Sequence, residues 1–186
     1  MRKIAIFASG SGSNAENIIR HFSDKECAEV VLVLSNKADS YVLNRAHKHS
    51  IPTGVFSREE FSNGEKVKSI LKESNASMII LAGFLLKIPE LLVKSYPGAI
   101  VNIHPALLPK YGGKGMYGIH VHRAVVENQE TESGITIHYV NEHYDEGEFI
   151  FQAKCSLLNS DNPEDVQRKV QELEALHFPT IIESIL

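Results

Sequence analysis

The chain has 186 residues, of which 43% are hydrophobic and 23% charged, the make-up of one globular domain able to bury a large core. A formal net charge of -4 without a Lys/Arg cluster argues against a nucleic-acid surface, and no apolar run approaches the ~20 residues of a membrane span. Cys27 and Cys155 have neither CxxC spacing nor a disulfide framework, so reduced thiols and a cytoplasmic protein are expected.

The first six residues are already strand-like, which leaves no room for a signal peptide. Lys3 to Ser9 is a nearly continuous apolar run, suited to a strand buried on both faces. Gly10-Ser11-Gly12-Ser13-Asn14 follows, then a helical pattern through Ile18, Ile19 and Phe22. Strand, glycine-rich turn and helix start make an anion site, because the first helical N–H groups are unpaired and the helix dipole favours negative charge. Ser13 and Asn14 add side-chain donors and are expected to cap the helix. Gly10, Gly12 and Ala15 nominally satisfy a dinucleotide fingerprint, but Val30 to Leu34 ends in Ser35-Asn36-Lys37 without the acidic residue that fingerprint needs. A monophosphate is therefore favoured over NAD.

Further along, Tyr41 to His49 reads as a helix and Thr53 to Phe56 as a short strand. Ser57 is the expected N-cap of the next helix. Met78 to Ala82 is a fourth buried strand, and Pro89 opens the helix beyond it. Alternating strands and helices over the first hundred residues imply an α/β, Rossmann-like fold: a mostly parallel twisted sheet with helices on both faces. A last helix is expected from about Pro163 towards Leu186, carrying Glu172 and Glu174, with Pro179 kinking or restarting it.

The stretch from Val101 to Asp145 concentrates the chemistry. Asn102 and His104 are two apart, so on a strand both side chains leave one face, and Pro105 stops the strand just beyond them. An amide and an imidazole then stand at a strand's carboxyl end, where open α/β sheets bind ligands. Gly134 to Val140 is a second strand, leading to a polar loop whose Asp145 can reach back to a histidine. His120 and His122, as His-x-His on an extended segment, have the one pattern that could hold a metal, with His104 or His138 joining them; no metal is expected.

Asn102-Ile103-His104-Pro105-Ala106-Leu107-Leu108-Pro109-Lys110-Tyr111, with Asp145-Glu146-Gly147 some forty residues later, resembles the signature of the folate-dependent formyltransferase family. The likeness extends through Gly10 to Asn14, Ser35 to Asp39 and Ala82-Gly83-Phe84, nearly the whole chain. It implies a single formyltransferase domain over 1–186, with a nucleotide-phosphate half to about residue 100 and a catalytic and folate-binding half after it. The implied reaction moves a formyl group from 10-formyltetrahydrofolate to the amine of glycinamide ribonucleotide, in de novo purine biosynthesis. Small-molecule substrates, no nucleic acid, no membrane, and a monomer or homodimer follow from the same likeness.

Residue by residue, the resemblance makes Asn102, His104 and Asp145 catalytic. It gives Gly12, Ser13 and Asn14 to the phosphate and Glu174 to the glycinamide end. Leu85, Ile88, Val140 and Asn141 fall to the folate, with Arg58 a partner for its glutamate tail. Asn102 and a protonated His104 would donate to the oxyanion, with Asp145 raising the pKa of His104. Two departures stand out: Gly112 to Gly118 is longer than the family's loop, and Leu86 replaces an expected arginine, with Lys87 next. A hydrolytic deformylase and a non-catalytic nucleotide-binding module are the alternative readings.

Overall fold

The computed structural model describes residues 1–186. Seven strands form one sheet: β1 (Arg2–Phe7), β2 (Ala28–Ser35), β3 (Thr53–Val55), β4 (Met78–Leu81), β5 (Ile100–His104), β6 (Glu132–Tyr139) and β7 (Phe149–Ser156). Their order is β3-β2-β1-β4-β5-β6-β7. The pairs among the first five are parallel, whereas β6 and β7 are added antiparallel. This is the mostly parallel α/β sheet expected from the alternating pattern. Helices α1 (Ser13–Phe22), α2 (Tyr41–Lys48), α3 (Arg58–Phe61), α4 (Glu65–Glu73), α5 (Glu90–Ser95), α6 (Ile119–Glu127) and α7 (Pro163–Ser184) connect and cover the strands. No helix is long and apolar enough to cross a membrane.

Strand periodicity sorts the core onto two faces. Ile4 and Ile6 pack with α1, α2, α6 and α7 residues such as Ile18, Val42, Val125 and Val170. Ala5 and Phe7 point the other way, towards Phe61, Leu71 and Leu92 of α3, α4 and α5. The order also reverses at β1: the chain builds outward to β3, then returns to lay β4 on the opposite side. That reversal parts the connections and leaves a crevice at the strands' carboxyl ends.

Several local expectations are corrected. The helix after Ser57 is two helices, because Gly64 at φ 78° starts α4 anew, although Ser57 and Glu60 do form a capping box. His120 and His122 lie on α6, not on an extended segment. Strand β7 had no clear sequence signal, being a half-exposed edge strand. Pro179 does not restart the last helix: α7 runs as one element through it. Lacking an N–H, Pro179 frees the carbonyl of Ala175, and Asn17 Nδ2 donates to it at 2.8 Å. Tertiary contact with α1 replaces the missing helical bond. Asn162 and Asp165 form the capping box that begins α7, with Pro163 in the first turn.

Where β6 meets β7 the backbones approach too closely for a side chain. A Cβ on Gly134 would lie 2.0 Å from the Ala153 carbonyl oxygen and 2.8 Å from Leu107 Cδ2. Gly134→Ala is therefore expected to lower stability by about 3 kcal/mol or more by forcing the strands apart. Gly10→Ala, whose Cβ meets nothing within 4 Å, should stay within about 0.5 kcal/mol. Urea midpoints compare the two, and equal midpoints would contradict the close approach.

Candidate active site

The crevice is a cleft of about 470 Å³ at the carboxyl ends of β1, β4 and β5. Its walls bring together Gly12, Ser13, Asn14, Leu85, Ile88, Asn102, His104, Val140, Asn141, Asp145 and Glu174. Arg58 is the exception. It sits exposed on α3 and does not line the cleft. Lys37 and Lys87 are the lysines that do line it.

On the β1 side, Gly12 is the N-cap of α1 at φ 77°, with no side-chain cap. Ser13 and Asn14 are the first helical residues, not the cap expected of them. A Cβ on Gly12 would lie within 2.4–2.7 Å of Val42, so glycine is required for space as well as for φ. The turn's carbonyls are bound from behind. Ser40 Oγ donates to Gly10 O at 2.9 Å, and Arg45 Nε donates to Ser11 O at 2.9 Å. The first intrahelical bond is Glu16 N to Gly12 O at 2.9 Å. The amides of Ser13, Asn14 and Ala15 thus precede the hydrogen-bonded ladder and are available to an anion. Asn14 Nδ2 donates to Glu174 Oε2 at 2.8 Å, fastening the turn to α7. Burial pushes the Glu174 carboxyl above its ordinary value, and the Asn14 hydrogen bond only partly opposes that.

On the β5 side, Asn102 and His104 share a face as their spacing requires, opposite His138 and Thr136 of β6. His138 Nδ1 lies 2.8 Å from the carbonyl oxygen of Tyr139. A carbonyl can only accept, so that nitrogen carries the proton and Nε2 is an acceptor. Asn102 Nδ2 donates to it at 3.1 Å, leaving the second amide N–H free. The same reasoning fixes His104: its Nε2 donates to the Tyr111 carbonyl at 2.8 Å. In the neutral ring Nδ1 therefore holds a lone pair, facing Asp145 Oδ2 at 3.7 Å.

Asp145 stands between the two imidazoles, with Oδ1 3.6 Å from His138 Nε2. Its direct hydrogen bond comes from Gly113 N, at 2.8 Å to Oδ2. Burial alone would raise the Asp145 carboxyl, but its surroundings, with the Gly113 amide donating directly to it, hold it below the usual carboxylate range. For His104 the balance is reversed. Burial lowers its pKa more than Asp145 and the Tyr111 carbonyl raise it. Asp145 does act upward on His104 as expected, but burial outweighs it, so the ring is held below its ordinary value and is neutral at pH 7, not protonated.

Side chains from β6 and β7, distant in sequence, hold the 105–111 loop. Thr136 Oγ1, fully buried, donates to Ala106 O at 2.7 Å and accepts from Leu108 N at 3.0 Å. Gln152 Nε2 of β7 adds bonds to Leu108 O at 3.0 Å and Thr136 Oγ1 at 2.8 Å. Tyr111, at φ 57°, is pinned by its hydroxyl to Glu130 at 2.8 Å. A period-two reading of β6 could have found Thr136 and His138, which share the face of Asn102 and His104.

At the other end, Ile88 is buried and Leu85 is 39% exposed. Val140 N donates to Ile100 O at 2.9 Å, extending the ladder past β6. Asn141 Oδ1 accepts from His143 N at 2.9 Å, which shapes the loop towards Asp145. Lys87 Nζ lies 5.6 Å from the centre of the Tyr144 ring. Gly113, Gly115, Met116, Tyr117 and Gly118 of the long loop border the cleft. On α6, His120 is exposed and His122 is 2% exposed. Residues two apart on a helix diverge, so the pair cannot chelate one ion, and no group of three or more His, Cys, Asp or Glu could hold a metal.

A family model described as "Formyl transferase" matches residues 2–182. The chain is 39% identical over 190 residues to the chloroplastic phosphoribosylglycinamide formyltransferase of Arabidopsis thaliana, covering 99% of this chain and 65% of that protein. It thus spans just under two thirds of that relative's length. It is 37% identical over 188 residues to the phosphoribosylglycinamide formyltransferase of Haemophilus influenzae, covering 98% and 86%. Among solved structures, the phosphoribosylglycinamide formyltransferase of Bacillus halodurans superposes with a TM-score of 0.90 at 33% identity, covering 100% of this chain and 95% of that one.

His122 generates a pH prediction. Burial, with a smaller contribution from His104, pushes its pKa from 6.5 down to about 4. Below pH 6.5 the unfolded chain takes up a proton there that the folded chain refuses, so stability falls as pH drops towards about 4. The loss amounts to up to about 3 kcal/mol. His122→Phe should flatten that part of the stability profile, measured by urea unfolding at pH 7 and pH 5. A variant as acid-sensitive as the wild type would contradict it.

Proposed function

The chain belongs to the formyl transferase family, and we propose that it transfers a formyl group from 10-formyltetrahydrofolate to the amine of glycinamide ribonucleotide. One observation carries this reading. A free helix-start anion turn and the Asn102–His104–Asp145 group share one cleft, with Glu174 tied to the turn between them. In this arrangement the backbone amides at the start of α1, together with the side chains of Ser13 and Asn14, take the phosphate, and Glu174 takes the glycinamide end. Leu85, Ile88, Val140 and Asn141 wall the folate, so the glycine turn of the first half holds the acceptor's phosphate and the donor lies against residues of both halves.

The free N–H of Asn102 donates to the formyl oxygen as charge develops there; a donor of this kind contributes ~10²–10³ in rate. The amine forms its bond to the formyl carbon and loses a proton to Nδ1 of neutral His104. Asp145 stabilises the imidazolium so formed, because the new Nδ1–H faces its carboxylate. The tetrahedral centre collapses, the bond to the folate nitrogen breaks, and His104 returns its proton to that nitrogen. No covalent enzyme intermediate is needed. Lys87, at the folate end, supplies the cation that exposed Arg58 does not bring into the cleft.

Incubation with 10-formyltetrahydrofolate, with and without glycinamide ribonucleotide, tests the assignment. Formyl loss should depend on the acceptor. Equal loss without it would indicate the deformylase, in which water replaces the amine, and no loss at all a binding module.

Ser13→Ala combined with Asn14→Ala should weaken acceptor binding and leave folate binding nearly unchanged; the reverse would exchange the two substrate positions.

Asp145→Asn should slow turnover by at least ~10²-fold with smaller effects on binding. Since Asp145 raises the pKa of His104, its loss should move the acid limb of kcat to lower pH. Adding His104→Ala should cost little further, because residues acting as one unit are not additive. Penalties that multiply would show that Asp145 does not act through His104.

A further inference from the structure

Helix α6 delivers a histidine to the cleft that the chemistry above does not use. His122 is 2% exposed and lines the cleft, near enough to His104 that a charge on His104 would be felt at it. Nδ1 is enclosed and has no hydrogen-bond partner. The other nitrogen, Nε2, is not among the enclosed orphan atoms and is the one left facing the cleft. A buried acceptor without a partner is tolerated more readily than a buried donor without one. The proton of the neutral ring therefore belongs on Nε2, as an N–H aimed into the cleft with nothing to bind.

The surroundings narrow what that N–H is for. Helix α6 packs on α7, whose Gln167, Gln171 and Glu174 line the same cleft. His122 thus lines the same cleft as the reacting group at His104 and the Glu174–Asn14 link to the anion turn. A metal would need companion ligands, and none are gathered there. A purely structural side chain at this position would do better without an unpaired nitrogen.

We propose that His122 is a binding residue for the amine substrate. Its Nε2–H donates to an uncharged oxygen, a sugar hydroxyl or an amide carbonyl, lying between that substrate's amine and its phosphate. The assignment rests on the function proposed above. Because the ring stays neutral at working pH, it supplies a directed hydrogen bond and neither charge nor a transferable proton.

His122→Phe keeps the bulk and removes the donor, and His122→Gln restores a donor of shorter reach. In steady-state assays of the full chain, His122→Phe should raise the KM for glycinamide ribonucleotide about ten-fold, with kcat and the KM for 10-formyltetrahydrofolate within two-fold or so. His122→Gln should recover part of the loss. In nitrogen-15 NMR of the wild type, the His122 ring should remain the Nε2–H tautomer from pH 5.5 to 8.5. Its Nε2 resonance should move on adding glycinamide ribonucleotide and not on adding folate. An unchanged acceptor KM in His122→Phe, a rise confined to the folate KM, or a ring that protonates near pH 6.5 would each overturn the assignment while wild-type turnover stood. A wild type that turns nothing over would remove the functional reading first and this assignment with it. A fall in the urea midpoint of His122→Phe at pH 7 would point to a packing role and count against the proposal.

Discussion

The hydrogen bond from His104 Nε2 to the Tyr111 carbonyl is the constraint on which the site depends. It chooses the tautomer, and the tautomer decides what Asp145 can do. With the proton on Nε2, the lone pair of Nδ1 faces a carboxylate, an arrangement at rest only until a proton arrives. Had the proton been on Nδ1, Asp145 would have been a simple acceptor and His104 could not have taken a proton on that side. The bond in turn requires the 105–111 loop to stay where Thr136 and Gln152 fasten it to β6 and β7. Two antiparallel strands appended to a parallel sheet thereby set the protonation chemistry of a residue on β5.

The cleft pushes its two acids in opposite directions. Both Asp145 and Glu174 lose water on burial, which raises a carboxyl pKa. Asp145 recovers more than it loses, with the Gly113 amide donating to it, and stays ionised. Glu174 has one amide donor, from Asn14, and remains above its ordinary value. Two carboxyls with divergent environments are the usual sign of divided labour in an active site. In the function proposed above, Asp145 is the one that would stabilise a developing cation, and Glu174 the one that would hydrogen-bond the acceptor.

Much of the frame was legible before any coordinates. Continuous apolar runs at Lys3 to Ser9 and Met78 to Ala82 identified buried parallel strands, and glycine followed by a helix pattern identified the turn. Period two was enough to put Asn102 and His104 on one face. Arg58 could not be placed this way, since a lone cation carries no signal of which surface it will occupy. Nor could α6, because Gly118 and two histidines blur the helical period at its start.

What the sequence by itself determined was therefore the local and periodic part: strand, turn and helix types, the shared face of Asn102 and His104, and the motifs that match the family. Tertiary structure alone decided the protonation state of His104, the neutrality of His122, the continuity of α7 through Pro179 and the anchoring of the 105–111 loop. The physical reason is that each of these depends on groups far apart in the chain. Burial sums over every neighbour that displaces water, and a hydrogen bond such as Asn17 to Ala175, 158 positions apart, exists only once the helices have packed.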